Sequence, residues 1–158
     1  MTSEDDRYLD DFAAGDVVTT PAHTYGEAEI IECARVYDPQ PFHLDTEAAA
    51  KSLYGGLIAS GFHTAAVCFR LFIELGLLRT SSLGSPGIDE LRWLAPVRPG
   101  DSLHTQWEVL EVRPSRSRPD RGILRAQYSA INQRDETALR FIVNHLLARR
   151  GGEPSSST

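Results

Sequence analysis

Tyr54-Gly55-Gly56-Leu57-Ile58-Ala59-Ser60-Gly61-Phe62-His63 is a glycine-bearing loop that runs directly into an apolar stretch, Thr64 to Leu78. The stretch is apolar almost all round, and the polar residues in and beside it are mainly His63, Arg70 and Glu74. A helix that is apolar on every side belongs inside a protein core. The sequence therefore predicts a buried central helix, and this helix decides the fold.

The start of this helix is a candidate position for binding negative charge. The first N–H groups of a helix have no intrahelical partner and carry partial positive charge, so the amides near Gly61 can stabilise an oxyanion. A glycine there lets a substrate carbonyl approach closely. In the alternative interpretation Ser60 only caps the helix, while the glycines only permit turns.

A second segment, Tyr37-Asp38-Pro39-Gln40-Pro41-Phe42-His43-Leu44-Asp45, carries a carboxylate and an imidazole on a proline-rich connection. Proline fixes its own φ and disfavours helix for the residue before it, so we expect Asp38 and Gln40 in a stiff, non-helical segment. His43 can act as an acid or a base near neutral pH, and Asp38 can orient it or share its water. The alternative is an ordinary turn with both side chains on the surface.

Together the two segments resemble the MaoC-like dehydratases and (R)-specific enoyl-CoA hydratases of the hotdog superfamily, over about residues 12 to 150. The hydratase motif of that family is D-x-N-P-x-H, followed by a small residue, a glycine and a buried helix. Asp38, Pro41, His43 and Gly61 stand at those positions, and Gln40 stands where the family commonly has Asn. The resemblance implies that Asp38 and His43 hold the water that adds to a trans-2-enoyl thioester. It also implies that the Gly61 N–H stabilises the thioester oxyanion.

The resemblance carries further expectations about ligands and assembly. Beside the motif positions, we expect Gln40, Ser60, Phe62 and His63 to bind substrate, with a purely structural role as the alternative for His63. Coenzyme A enters as part of the substrate, and no separate cofactor or metal is expected. A homodimer or a larger assembly is expected, with sheets paired edge to edge.

Two other functions stay open at this point. One is a non-catalytic acyl-CoA-binding hotdog protein, in which the same loop keeps its shape without activity. The other is an acyl-CoA thioesterase. Hotdog thioesterases usually carry their acidic residue on or beside the central helix, and Glu74 lies far along it, so this alternative is weaker.

The rest of the sequence fits an α+β fold of the hotdog type, an antiparallel sheet wrapped around the central helix. Alternating apolar and polar residues predict four strands joined by short turns, which favours antiparallel pairing. We predict these strands at 88–95, 103–112, 122–131 and 138–147, preceded by a β-prone run at 16–20 and helices at 26–37 and 46–52. The domain spans 12–150, between a flexible acidic segment at 1–11 and a disordered tail at 151–158.

The composition limits which binding partners and which cellular compartment we expect. The net charge of −6 and pI near 5.3 argue against nucleic-acid binding, despite an arginine-rich run at 113–122. That run predicts a hairpin loop, either solvated or in contact with the phosphates of coenzyme A. The histidines and cysteines lack metal-ligand spacing, and we interpret Cys33 and Cys68 as core residues. Without a signal peptide, a membrane span or a disulfide framework, the sequence predicts a cytoplasmic protein that does not bind membranes.

Overall fold

The computed structural model describes residues 6–151, which form one antiparallel sheet and four α-helices. The strands are β1 (Val17–Thr19), β2 (His23–Thr24), β3 (Ile88–Trp93), β4 (Ser102–Pro114), β5 (Arg121–Ile131) and β6 (Thr137–Ala148). The helices are α1 (Glu27–Tyr37), α2 (Pro41–Leu44), α3 (Thr46–Ala50) and α4 (Gly61–Ile73). In space the strands follow the order β1-β4-β5-β6-β3, and β2 pairs with the end of β4 that β1 leaves open.

The inner face of the sheet packs against α4 through aromatic side chains. Along β5 every second residue is buried, as expected for a strand with one face on a core. Phe72 of α4 stacks on Trp107 with ring centroids 4.3 Å apart, and Tyr128 stacks on Phe141 at 4.9 Å. The predicted α+β hotdog arrangement, a sheet around a central helix, is confirmed.

The central helix begins and ends earlier than predicted. It begins at Gly61, because the Ser60 side chain caps its first turn. It ends at Ile73, five residues before the predicted end at Leu78. The chain leaves the helical path there because Gly76 adopts a φ of +78°, a left-handed conformation that glycine accepts without strain.

Burial of α4 is also one-sided, whereas the sequence predicted burial all round. Val67, Cys68, Leu71 and Phe72 face the sheet and are buried. Phe62, Phe69 and Ile73 are exposed, although the Phe69 ring also stacks on Tyr128 of β5 with centroids 5.6 Å apart. The prediction of a fully buried helix is therefore wrong for the single chain.

The other elements follow the predicted pattern, with local differences. The four long strands and α1 lie within a few residues of their predicted bounds, and the run at 16–20 contains β1. The two-residue strand β2 was not predicted, and α3 ends at Ala50 rather than at residue 52. The proline segment is only partly non-helical, because Pro41 starts the single turn α2 at the helix position where a proline needs no N–H partner.

The packed part of the chain extends beyond residue 12 toward the N-terminus. Leu9 begins a 3₁₀ turn (Leu9–Asp11) and is buried in the core. The rest of the predicted flexible segment, 1–5, and the predicted tail from residue 152 lie outside the described residues.

Cys68 is a core residue as predicted, whereas Cys33 is only half-buried. Among the described helices, none has the length and hydropathy that crossing a membrane requires.

Candidate active site

The carboxylate of Asp38 is fixed by two hydrogen bonds at the end of α1. Its backbone is non-helical, with φ −154° and ψ 69°, as the following Pro39 requires. Gln40 Nε2 donates to Oδ1 at 2.7 Å, and the Ser60 hydroxyl donates to Oδ2 at 2.7 Å. Burial raises the pKa of Asp38, but these hydrogen bonds and the neighbouring His43 outweigh it, so the net pKa lies below the usual 3.8. Asp38 is therefore ionised at neutral pH.

The imidazole of His43 is held on the turn α2 and is almost completely buried, with 4% of its surface exposed. Its Nδ1 lies 2.7 Å from the carbonyl oxygen of Ile58. A carbonyl only accepts, so Nδ1 carries the proton in this contact. In the neutral ring Nε2 is then an unprotonated acceptor, and it lies 3.2 Å from Asp38 Oδ2.

This geometry places two hydrogen-bond acceptors against each other. A carboxylate oxygen and a neutral imidazole nitrogen repel unless a hydrogen lies between or beside them. Either His43 takes up a second proton, or a water molecule donates one hydrogen to each group. The Asp38–His43 pair is thus suited to hold a water and to accept its proton.

The start of α4 supplies hydrogen-bond donors, in contrast to the two acceptors of the Asp38–His43 pair. Ser60 accepts from the Phe62 N–H at 3.3 Å while donating to Asp38, so one buried hydroxyl both caps the helix and fixes the carboxylate. The hydrogen bonds within residues 6–151 include none to the Gly61 N–H. This amide carries the partial positive charge of the helix start and is free to bind an oxygen atom.

Asp38, His43 and Gly61 line one cavity of about 480 Å³, a volume typical of a small-molecule site. Asp38 and His43 provide the acidic and basic side chains in its wall, within the part of the chain that the structure describes. The remaining wall is mainly apolar and includes residues of β3 and the turn after it that the sequence analysis did not assign. The lining residues that the sequence analysis missed include Phe42, Tyr54, Trp93, Leu94, Ala95, Val97 and Ala138.

The predicted substrate-binding residues occupy different places. Gln40 and Phe62 line the cavity, whereas Ser60 is buried beneath it in contact with Asp38. His63 does not line the cavity; its ring is buried on the other side of α4. The structure thus brings Gln40 and Ser60 into contact with the carboxylate, and it places His63 outside the cavity wall.

His63 belongs to a separate polar cluster behind the helix start. Glu29 Oε1 lies 2.7 Å from His23 Nε2 and 3.0 Å from His63 Nε2, and Arg70 approaches His23 Nδ1 at 3.5 Å. Burial lowers the pKa of His63 more than Glu29 raises it. The neutral ring therefore donates Nε2–H to Glu29, which ties α1, and with it the segment that carries Asp38, to α4.

Two features considered from the sequence lie far from the cavity. The arginine-rich hairpin loop is adjacent to the end of β6 at Ala148, about 30 Å along the strand from Ala138 in the cavity wall. Within the loop region Arg121 pairs with Asp120 at 2.9 Å, which favours the solvated interpretation over contact with a ligand in this chain's cavity. Glu74 follows the last residue of α4 and pairs with Arg70 at 3.4 Å. Residues 6–151 contain no cluster of three or more acidic, histidine or cysteine side chains arranged for a metal.

Comparisons with known proteins agree with this architecture. The family described as "MaoC like domain" matches residues 11–128. A MaoC-like dehydratase from Rhodospirillum rubrum is 44% identical, with a TM-score of 0.82 over 91% of this chain and 98% of that one. The protein YdeM of Bacillus subtilis is 35% identical over 80% of this chain and 89% of its own length.

An (R)-hydratase from Pseudomonas aeruginosa shares the fold at lower identity. It is 23% identical, with a TM-score of 0.71 over 96% of this chain and 95% of that one. The family match covers most of the chain and contains the Asp38, His43 and Gly61 positions. The chain therefore belongs to the MaoC-like dehydratase family and has the hotdog fold of its relatives.

Proposed function

We propose that the protein is a hydro-lyase that interconverts a trans-2-enoyl thioester and an (R)-3-hydroxyacyl thioester, with coenzyme A as the acyl carrier. One observation carries the proposal: the Asp38 carboxylate and the Nε2 atom of His43 lie 3.2 Å apart in a cavity that also exposes the start of α4. Two acceptors and one N–H donor in an apolar cavity match the charges of this reaction.

The acceptor pair activates the water. A water that donates to Asp38 and to His43 Nε2 has a lone pair free to attack C3 of the enoyl group. As the C3–O bond forms, one water proton passes to Nε2, and the resulting imidazolium is stabilised by the ionised Asp38. His43 can take this proton because Ile58 keeps the other ring nitrogen as the donor.

The helix start stabilises the electrons displaced by this attack. Electron density moves from the C2–C3 double bond onto the thioester oxygen, giving an enolate. The Gly61 N–H meets that charge at the positive end of α4. The enolate then collapses and takes the proton from His43 Nε2 at C2, which restores neutral His43 and completes the addition of one water. The dehydration reaction follows the same steps in reverse.

The neighbours of Asp38 keep it suited to this role. Gln40 donates a hydrogen bond to Oδ1 of Asp38 and Ser60 donates one to Oδ2, so the carboxylate stays ionised and fixed. Gln40 therefore acts by positioning Asp38, although it also lines the cavity wall. Free Cys33 and Cys68 suit a reducing compartment such as the cytoplasm, which is the location we propose.

A homodimer forms part of the proposal. Phe62, Phe69 and Ile73 present an exposed apolar stripe on α4, and Ile88 is exposed on β3. β3 pairs only with β6 within the described chain, so its other edge is free to pair with a second copy. Joining two such edges would cover both features, and an open apolar edge is otherwise an aggregation hazard.

The geometry favours hydration over thioester hydrolysis. Among residues 6–151, Asp38 supplies the one carboxylate of the cavity wall, and it is paired with a histidine rather than placed on the central helix. Glu74 lies at the other end of α4, about 20 Å from Gly61 along the helix axis. The non-catalytic acyl-CoA binder predicts the same cavity without turnover, and the experiment below separates it from the enzyme.

The test is the loss of conjugated-thioester absorbance when purified protein is mixed with trans-2-enoyl-CoA substrates of several chain lengths. We expect wild-type protein to hydrate at least one of them. Asp38→Asn and His43→Ala should each lower kcat/KM by about 100-fold or more. Arg116→Ala, in the distant hairpin loop, is the matched control and should retain wild-type activity. A wild type that binds these thioesters without turnover would overturn the proposal in favour of the binder.

A further inference from the structure

Trp93 is a large aromatic side chain at the cavity wall to which the mechanism above assigns no role. It ends the edge strand β3 and is 50% exposed. Its ring contacts Phe62 edge-on, with centroids 5.6 Å apart. Both rings therefore lie over the first turn of α4, beside the Gly61 amide.

The indole nitrogen is the ring atom that approaches Gly61 most closely. A Cβ atom at residue 61 would lie 2.7 Å from Trp93 Cδ1 and closer still to Cε2 and Nε1, with Nε1 the nearest of the three. Given a Cα–Cβ bond of about 1.5 Å, Nε1 lies within about 4 Å of the Gly61 Cα. Only glycine leaves room for the indole in this position, so the two residues form one unit.

This contact brings two hydrogen-bond donors together. The Trp93 indole can only donate, and its nitrogen lies beside the first residue of a helix whose start itself exposes N–H groups. A donor beside a partially positive helix end is electrostatically unfavourable unless an acceptor lies between them. Within the described chain no protein acceptor is bonded to Trp93 Nε1 or to the Gly61 N–H. Both residues line the same cavity, so an oxygen atom of a bound substrate with partial negative charge can accept from both N–H groups.

We propose that the indole N–H of Trp93 is the second donor of the oxyanion hole, acting with the Gly61 N–H on the thioester oxygen. This inference rests on the proposed function and names a further catalytic residue for it. Two donors on one oxygen stabilise the enolate more than the uncharged thioester, so the contribution of Trp93 is larger in the transition state than in substrate binding. The alternative is that Trp93 only packs against Phe62 and closes the cavity.

Trp93→Phe separates the two roles, because phenylalanine keeps an aromatic ring on Phe62 and lacks the N–H. In the enoyl-CoA hydration assay we expect kcat to fall about 10-fold to 100-fold with KM within about twofold of wild type. Trp93 is half-exposed, so we expect the variant to fold, and urea unfolding should give a wild-type midpoint. A kcat within twofold of wild type would overturn the proposal, as would a rise in KM alone.

A second measurement reads the same hydrogen bond without turnover. In the His43→Ala background, infrared spectra of a bound trans-2-enoyl-CoA report the thioester C=O stretch, which moves to lower frequency as donors polarise the bond. We expect the shift to be smaller in His43→Ala/Trp93→Phe than in His43→Ala. Equal shifts would refute the role of Trp93 even if hydration is established. Failure of wild-type protein to hydrate any substrate would instead refute the proposed function.

Discussion

Acidification tests the packing of the core through one buried histidine, His145 on β6. Its ring is 3% exposed and packs beside Trp107 and Phe72, and its Nε2 lies 2.9 Å from the Tyr128 hydroxyl. Burial lowers the pKa of His145 from 6.5 to about 4. Between pH 4 and pH 6.5, His145 is therefore protonated in the unfolded chain and neutral in the folded chain.

The sign and size of the effect follow from proton linkage. The stability contributed by neutral His145 is fully present above pH 6.5 and is lost as the pH falls toward 4, because the unfolded state binds more protons in that range. The interval is about 2.5 pH units at about 1.4 kcal/mol each, so the total is about 3.5 kcal/mol. Such a loss is a large part of the stability of a domain of this size.

Urea unfolding followed by circular dichroism, at fixed protein concentration and at pH 7, 6, 5 and 4.5, measures this loss. His145→Gln is the control, because glutamine can hydrogen-bond Tyr128 and does not titrate. Carboxylates with lowered pKa values, such as Glu29, contribute equally to both proteins. We expect wild-type protein to lose about 2.5 kcal/mol more than the variant between pH 7 and 4.5. Parallel curves, within about 0.5 kcal/mol, would refute a neutral buried His145.

Two further substitutions test local contacts. Ser60→Ala removes both a helix cap and a donor to Asp38, so we expect a loss of about 1 kcal/mol in urea unfolding. The acidic limb of the pH profile for hydration should also move to higher pH as the pKa of Asp38 rises; an unmoved limb would contradict the contact. Gly122→Ala places a Cβ 2.5 Å from the Arg113 carbonyl and 2.8 Å from Pro114 Cα, and should cost about 1–3 kcal/mol. Gly87→Ala, with open space around it, should stay within about 0.5 kcal/mol, and equal losses in the two glycine variants would refute the steric argument.

Much of the fold was predictable because its signals are local. Alternation along β4, β5 and β6 predicts strands with one face on a core, and short turns between them predict antiparallel pairing. The end of α4 was not predictable from hydropathy alone, since the apolar pattern continues past Ile73 while Gly76 turns the backbone. Its exposed stripe was also missed, because apolar residues do not reveal which surface covers them.

The site residues likewise divide into those that the local sequence predicts and those whose roles depend on tertiary contacts. The Asp38 and His43 positions come from the proline segment, where local stereochemistry limits the backbone. The bond from Ser60 to Asp38 joins residues 22 apart in sequence and depends on how α4 docks beside α1. Trp93 was missed because its contact with Gly61 depends on the register of β3. The available signal in the sequence was a tryptophan at the end of a predicted strand, followed by prolines. The contact of His63 with Glu29, 34 residues away, was likewise not visible in the sequence, which left both a substrate-binding and a structural role open for His63.

The central claim is that water is delivered to C3 of an enoyl thioester, and the fate of labelled water tests it most directly. The protein is incubated with a trans-2-enoyl-CoA in ¹⁸O-enriched water, and the products are analysed by mass spectrometry. The Asp38–His43 geometry predicts one ¹⁸O atom in the 3-hydroxyl group of an intact 3-hydroxyacyl-CoA. Appearance of ¹⁸O in a free carboxylate with release of the coenzyme A thiol, or no incorporation into any tested substrate, would contradict it.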